Sequence, residues 1–166
     1  MVILYDRFNL PDDIFEIIFS TKQQEIVAKL LIDYMKKNDI KNSSDLFLYK
    51  SKIDLNCAKI LLNSFNTGEI ELDLEIIFFH LQQSVEKLIK SILSKHRISA
   101  PKTHDIEELI RALDNNNIKI LGNIDKLIDL SEYAIEGRYA IIHDDVDDAH
   151  NYIILIEKII NKFKKN

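Results

Sequence analysis

The sequence predicts an all-α fold. It reads as an up-and-down antiparallel helical bundle of four long helices plus a short one, behind an N-terminal helical extension. Three observations predict this. Apolar residues recur every three to four positions through most of the chain, and no segment has a convincing period-2 strand pattern. The 166 residues include only three glycines and two prolines, too few for the many tight turns of a sandwich or barrel. Start and stop signals bracket the periodic segments.

Residues 1–19 are apolar and irregular, with a turn at Pro11-Asp12-Asp13. Ser20 and Gln23 have capping-box spacing and open a helix that runs to about Lys37, with Ile26, Leu30, Leu31 and Tyr34 on one side. The polar stretch around Asn38-Asp39 and Lys41-Asn42-Ser43 separates this extension, residues 1–45, from the main domain, residues 46–166. A second helix covers about 44–64, with Leu46, Tyr49, Ile53, Cys57, Ile60 and Leu61 as its apolar stripe. Gly68 follows its end. The third, about 73–96, aligns Ile77, Leu81, Val85, Leu88, Ile92 and His96, while Gln82, Gln83, Glu86, Lys87 and Lys90 supply polarity. Ser99-Ala100-Pro101 interrupts the chain. Thr103 is the expected cap of a short helix over about 104–113, with Asp105, Glu107 and Glu108 where the dipole favours anions. A fifth helix runs from about Asn123 to Glu136, followed by Gly137. The last spans about Asp145 to Phe163, with Asp147 and Asp148 in its first turn and lysines in its last.

Composition excludes several functions. Gly68, Gly122 and Gly137 lie too far apart to form a Gly-rich phosphate loop. Cys57 is the only cysteine, so neither an intrachain disulfide nor a cysteine zinc site is expected, which fits a reducing cytosol. The run Met1–Asp6 is too short for a signal peptide, and no stretch approaches about 20 uncharged apolar residues. A cytoplasmic protein with no membrane contact is the expectation. The formal net charge of −5 does not favour broad nucleic-acid binding, although a local basic patch still could.

Four features bear on chemistry, and two of them remain candidates. The five histidines form no metal-binding motif, so neither a metal nor another cofactor is expected. Cys57 lies on an apolar stripe and reads as a structural thiol. His80, Gln83 and Lys87 lie three and four residues apart on one polar strip of the third helix. That strip is either a hydrogen-bonded seam between packed helices or a surface that binds a nucleotide or a partner. Arg138 and His143 are five apart, an offset of about 140° on a continuous helix. They converge only where the helix ends or bends, as beside Gly137, or across a two-fold interface. Together they suit RNA cleavage without a metal. Histidine exchanges the 2′-hydroxyl or leaving-group proton, and arginine braces the phosphate. The plain alternative is that Arg138 pairs with an acid and His143 caps the last helix.

Four blocks, in order and at matching separations, resemble the HEPN family of small helical domains. They are Phe47–Leu62, Phe79–Lys90, the Lys102-Thr103-His104-Asp105 segment running on to Leu109, and Tyr133–Tyr139. The resemblance covers about residues 46–163. It implies a bundle of four long helices and a short one, usually a homodimer, often paired as toxin and antitoxin with a minimal nucleotidyltransferase. Active members look like metal-independent ribonucleases with an Arg, four to six residues, then a His at the dimer interface. Arg138 and His143 match that pattern. Tyr139 stands where toxin-like members often have Asn, and Asp145 where members silenced by adenylylation carry Tyr. The Arg138-Tyr139 pair instead resembles a non-toxin branch. Asp144, Asp145, Asp147 and Asp148 add negative charge beside His143. The implied functions are a ribonuclease toxin acting on RNA, or a non-catalytic module that binds a nucleotide or a nucleotidyltransferase partner through His80, Gln83 and Lys87. A third reading is an interaction domain whose extension mediates assembly. No Gly-Ser pair exists for a nucleotidyltransferase loop, so a partner would have to supply that activity.

Overall fold

A computed structural model describes residue 30, residues 33–134 and residues 146–163 of the chain. Helix α1 spans Ser43–Asn66, α2 Leu74–Lys95, α3 Ile106–Asp114, α4 Ile124–Asp129 and α5 Val146–Phe163. A 3-10 turn, Leu130–Ala134, follows α4. No strand occurs among the described residues. The chain forms the all-α bundle that its periodicity predicts.

Helix α2 is the axis. It touches α1, α3, the 3-10 turn and α5. Its apolar stripe Ile77, Leu81, Val85, Leu88 and Ile92 is buried as the spacing requires, and Phe78, Ile89 and Leu93 are buried beside it. A helix covered on most sides is the central member of its bundle. Each fully buried Leu, Ile or Phe contributes about 1.5–3 kcal/mol, so this one element anchors the others.

The apolar stripe expected on α1 is displaced. Ile53 and Ile60 are exposed, and the buried line instead runs Ser44, Phe47, Ser51, Leu55, Ala58 and Leu62. Serines and an alanine let α1 approach α2 closely. Ser44 Oγ donates to the Ser91 carbonyl (2.9 Å), and Ser91 Oγ donates back to the Ser44 carbonyl (2.8 Å). Ser51 and Ser84 meet at 3.2 Å. Small hydroxyl residues carry no apolar signal, so periodicity of large side chains points to the wrong face here. Lys59 also pairs with Glu157 of α5.

Two helix ends differ from expectation. Asp105, not Thr103, caps α3: its carboxylate accepts from the Glu107 and Glu108 amides, while Thr103 Oγ1 accepts from the Asp105 amide. The carboxylate is the stronger acceptor for orphan N–H groups. The fifth helix leaves α geometry at Leu130. Side chains three apart eclipse in a 3-10 turn, so Leu130 and Tyr133 both enter the core, at 0% and 5% exposure. Residues 33–37 form a helical segment, where Met35, together with Ile40, packs on Leu46. Tyr34 and Tyr49 rings meet edge to face at 5.9 Å.

Candidate functional site

The strip His80, Gln83 and Lys87 is one end of a continuous polar seam on α2. The i, i+3, i+4 spacing puts all three on the side that meets α1, where Asp54 is waiting. Lys87 Nζ donates to Asp54 Oδ2 at 2.7 Å and to Gln83 Oε1 at 2.9 Å. Gln83 Nε2 donates to Gln82 Oε1 (2.8 Å). Gln82 Nε2 donates to Glu86 Oε2 (3.2 Å) and to the His104 carbonyl (3.0 Å). Glu86 also meets Lys90 at 3.1 Å and His104 Nδ1 at 3.1 Å.

His80 Nδ1 lies 3.5 Å from Asp54 Oδ1 but makes no hydrogen bond, although that atom is buried. The contact is electrostatic proximity only, because the geometry misses hydrogen-bond criteria.

Burial explains why the deep part of the seam, from Gln82 to Lys90, is so fully paired. Gln82 is 0% exposed, and the Glu86 and Lys90 side chains are each 5% exposed. Polar groups at that depth need partners, or each costs about 1–3 kcal/mol. The formal charges alternate and cancel: Asp54 against Lys87, Glu86 against Lys90. A seam with no surplus charge offers a phosphate little attraction. What it does offer is position. It clamps α1 on one side and the His104 loop on the other, so the Lys102-Thr103-His104-Asp105 segment is tied to α2 through Glu86 and Gln82. The sequence marks Gln82, Glu86 and Lys90 only as polar positions on this helix and does not single out Asp54. No spacing rule marks an aspartate on a neighbouring helix as the partner of a lysine.

Arg138, His143 and Gly137 lie outside the described residues. The residues on either side of them are described, and Phe78 of α2 holds both sides. The Phe78 ring stacks on Tyr133 at 4.9 Å and 20°, and meets Tyr152 edge-on at 5.9 Å and 86°. Phe78 is 0% exposed. Tyr133 precedes the Arg138–His143 segment and Tyr152 follows it, so one buried ring anchors the chain where it leaves and where it returns. Ser131 Oγ accepts from the Ile106 amide (3.0 Å), joining the same turn to the start of α3.

The acids at the start of α5 are partly offset. Lys126 Nζ lies 3.9 Å from Asp148 and 5.8 Å from the centre of the Tyr152 ring. Among the described residues, no group of three or more His, Cys, Asp or Glu is placed to hold a metal ion, and no helix is long and apolar enough to cross a membrane. Cys57 is half-buried.

No curated protein and no solved structure matches the chain. The HEPN domain family model matches residues 44–166, a region that begins beside the α1 N-cap and takes in every described helix from α1 to α5. That match covers about three quarters of the chain, and the chain belongs to the HEPN domain family.

Proposed function

We propose that this HEPN domain is a metal-independent endoribonuclease that acts as a homodimer, with Arg138 and His143 as its catalytic residues. The observation that carries the reading is the Arg–His spacing inside the matched family region. His143 removes the proton from a ribose 2′-hydroxyl. The 2′-oxygen attacks the adjacent phosphorus, the bond from phosphorus to the 5′-oxygen breaks, and that oxygen takes up a proton. The products are a 2′,3′-cyclic phosphate and a 5′-hydroxyl. Arg138 braces the phosphoryl oxygens as their charge rises. Two copies supply the group that delivers and the group that removes the proton. On this reading residues 46–166 are the catalytic bundle and residues 1–45 an added extension, and a minimal nucleotidyltransferase is the toxin–antitoxin partner in the cytoplasm.

The internal pairing of Lys87 and Gln83 favours this over the second reading, in which His80, Gln83 and Lys87 bind a nucleotide or a nucleotidyltransferase partner. Donors already engaged within the protein must break those bonds before they can hold a ligand. Incubation with RNA in the presence of a chelator tests the proposal. The wild-type protein is expected to cleave, and His143→Ala to lose about 10²–10⁴-fold of that rate, the usual contribution of a general acid–base. Equal cleavage by the two, or none by either, removes the ribonuclease reading.

A further inference from the structure

At the end of the bundle where α2 and α5 both finish, the loop after α3 crosses between them and leaves an open cleft of about 220 Å³. Its floor is apolar: Ile92 and Ile159 are buried there, with Ile118 and Phe163 as walls. Its rim is basic. Lys95, Lys119 and Lys162 line it, and no Asp or Glu does. That is notable in a chain with 27 acidic and 22 basic residues.

Helix-end electrostatics account for only part of this charge. Lys95 and Lys162 stand in the last turns of α2 and α5, where a lysine complements about half a negative charge at each terminus. Lys95 is spoken for, since its Nζ lies 4.6 Å from the centre of the Phe163 ring and 3.4 Å from the Phe163 carbonyl. Lys119 sits on the loop, not at a helix end. Neither Lys119 nor Lys162 has an ion pair or hydrogen bond among the described residues. Three lysines against two half-charges leave an excess of about two positive charges at the mouth of an apolar cleft.

The geometry points to a binding site for a small organic phosphate monoester, its phosphate on Lys119 and Lys162 and its apolar body against Ile118 and Phe163. Lysine ammonium groups bind phosphate as point charges, and the apolar walls supply the area that a bare ion cannot use. The cleft is remote from the start of α5. The 18 residues of that helix, rising about 1.5 Å each, place its two ends about 27 Å apart. Occupancy here therefore does not compete with a substrate held near Val146, where the chain returns from the Arg138–His143 segment.

Titration calorimetry at low salt tests the site with three probes: adenosine 5′-monophosphate, adenosine and inorganic phosphate. The monophosphate is expected to bind the wild-type protein, to bind more tightly than inorganic phosphate, and to weaken as salt rises. Adenosine is expected not to bind. The doubly substituted Lys119→Glu, Lys162→Glu protein is expected to lose about tenfold or more in affinity. Both residues are exposed, so the variant should stay folded, with only the small drop in melting temperature expected from placing Glu at the α5 C-terminus. The doubly substituted Lys37→Glu, Lys41→Glu protein, changed at two exposed positions far along the chain, is the charge-matched control and should bind normally. No binding of the monophosphate at millimolar concentration overturns the proposal. So does unchanged affinity in the double variant, or binding of inorganic phosphate as tight as that of the nucleotide. RNA cleavage is measured separately, so loss of this site and loss of the ribonuclease reading are distinguishable.

Discussion

The Asp54–Lys87 pair decides whether the polar strip of α2 is a seam or a ligand surface. The bond is 2.7 Å long, and the side chains are 16% and 24% exposed. At that separation and an effective dielectric of 20, the direct attraction is about 6 kcal/mol. Desolvation of the two charges removes most of it, leaving about 1.5–3 kcal/mol, the usual net worth of a charge-assisted hydrogen bond. A double-mutant cycle with Asp54→Asn and Lys87→Met isolates this quantity. Asn keeps the shape of Asp, and Met keeps the stem of Lys. Each single change is expected to cost about 2 kcal/mol or more in urea unfolding. Among the described residues, Lys87→Met leaves Asp54 with His80 as its remaining charged or titratable contact, at 3.5 Å and without a hydrogen bond. The double variant should be less destabilised than the sum of the two, giving a coupling of about 2 kcal/mol. A coupling below about 0.3 kcal/mol, within the additivity of independent sites, would refute the seam. The strip would then be free to bind something else.

Phe78→Ala is expected to cost about 3–5 kcal/mol in the same assay, and to depress RNA cleavage even where the protein remains folded, because Tyr133 and Tyr152 lose their shared anchor. A loss of stability with full activity would show that the anchor does not serve the site. Ser44→Ala should cost about 1 kcal/mol by removing one of two reciprocal bonds. Combined with Ser91→Ala it should cost less than the sum of the singles, as read by thermal melts. Gly122→Ala should cost more than about 1 kcal/mol by chemical denaturation. Gly122 has φ of +107°, and a Cβ there would collide with the Leu155 side chain.

Much of the architecture was legible in the sequence because large apolar side chains at helical spacing report burial directly. The core stripe of α2, from Ile77 to Ile92, follows from that signal alone. The face of α1 was not legible, because Ser44, Ser51 and Ala58 do the packing and look like solvent-facing residues in a sequence. Ile53 and Ile60 misled for the complementary reason: an apolar side chain on a helix does not have to be buried. The depth of Gln82, Glu86 and Lys90 was hidden in the same way, since each is charged or polar and is buried only because its partners come from elsewhere. Asp54 is 33 residues from Lys87, a distance across which periodicity carries no information. The Arg138–His143 spacing was visible at once, but its meaning came from the family-like blocks on either side. Phe78 was the residue that the sequence undervalued, since nothing in its neighbourhood marks it as the ring that Tyr133 and Tyr152 share.

The central claim is that His143 and Arg138 cleave RNA through the 2′-hydroxyl without a metal. Its most direct test uses a short oligoribonucleotide that the protein cuts at one position, beside the same strand with a single 2′-deoxy sugar there, both in excess chelator. The account predicts cleavage of the first to a 2′,3′-cyclic phosphate and a 5′-hydroxyl, and none of the second. It also predicts that Arg138→Ala and His143→Ala leave the first intact. Cleavage of the deoxy strand, products with a 3′-hydroxyl and a 5′-phosphate, or no cleavage by the wild-type protein would contradict it.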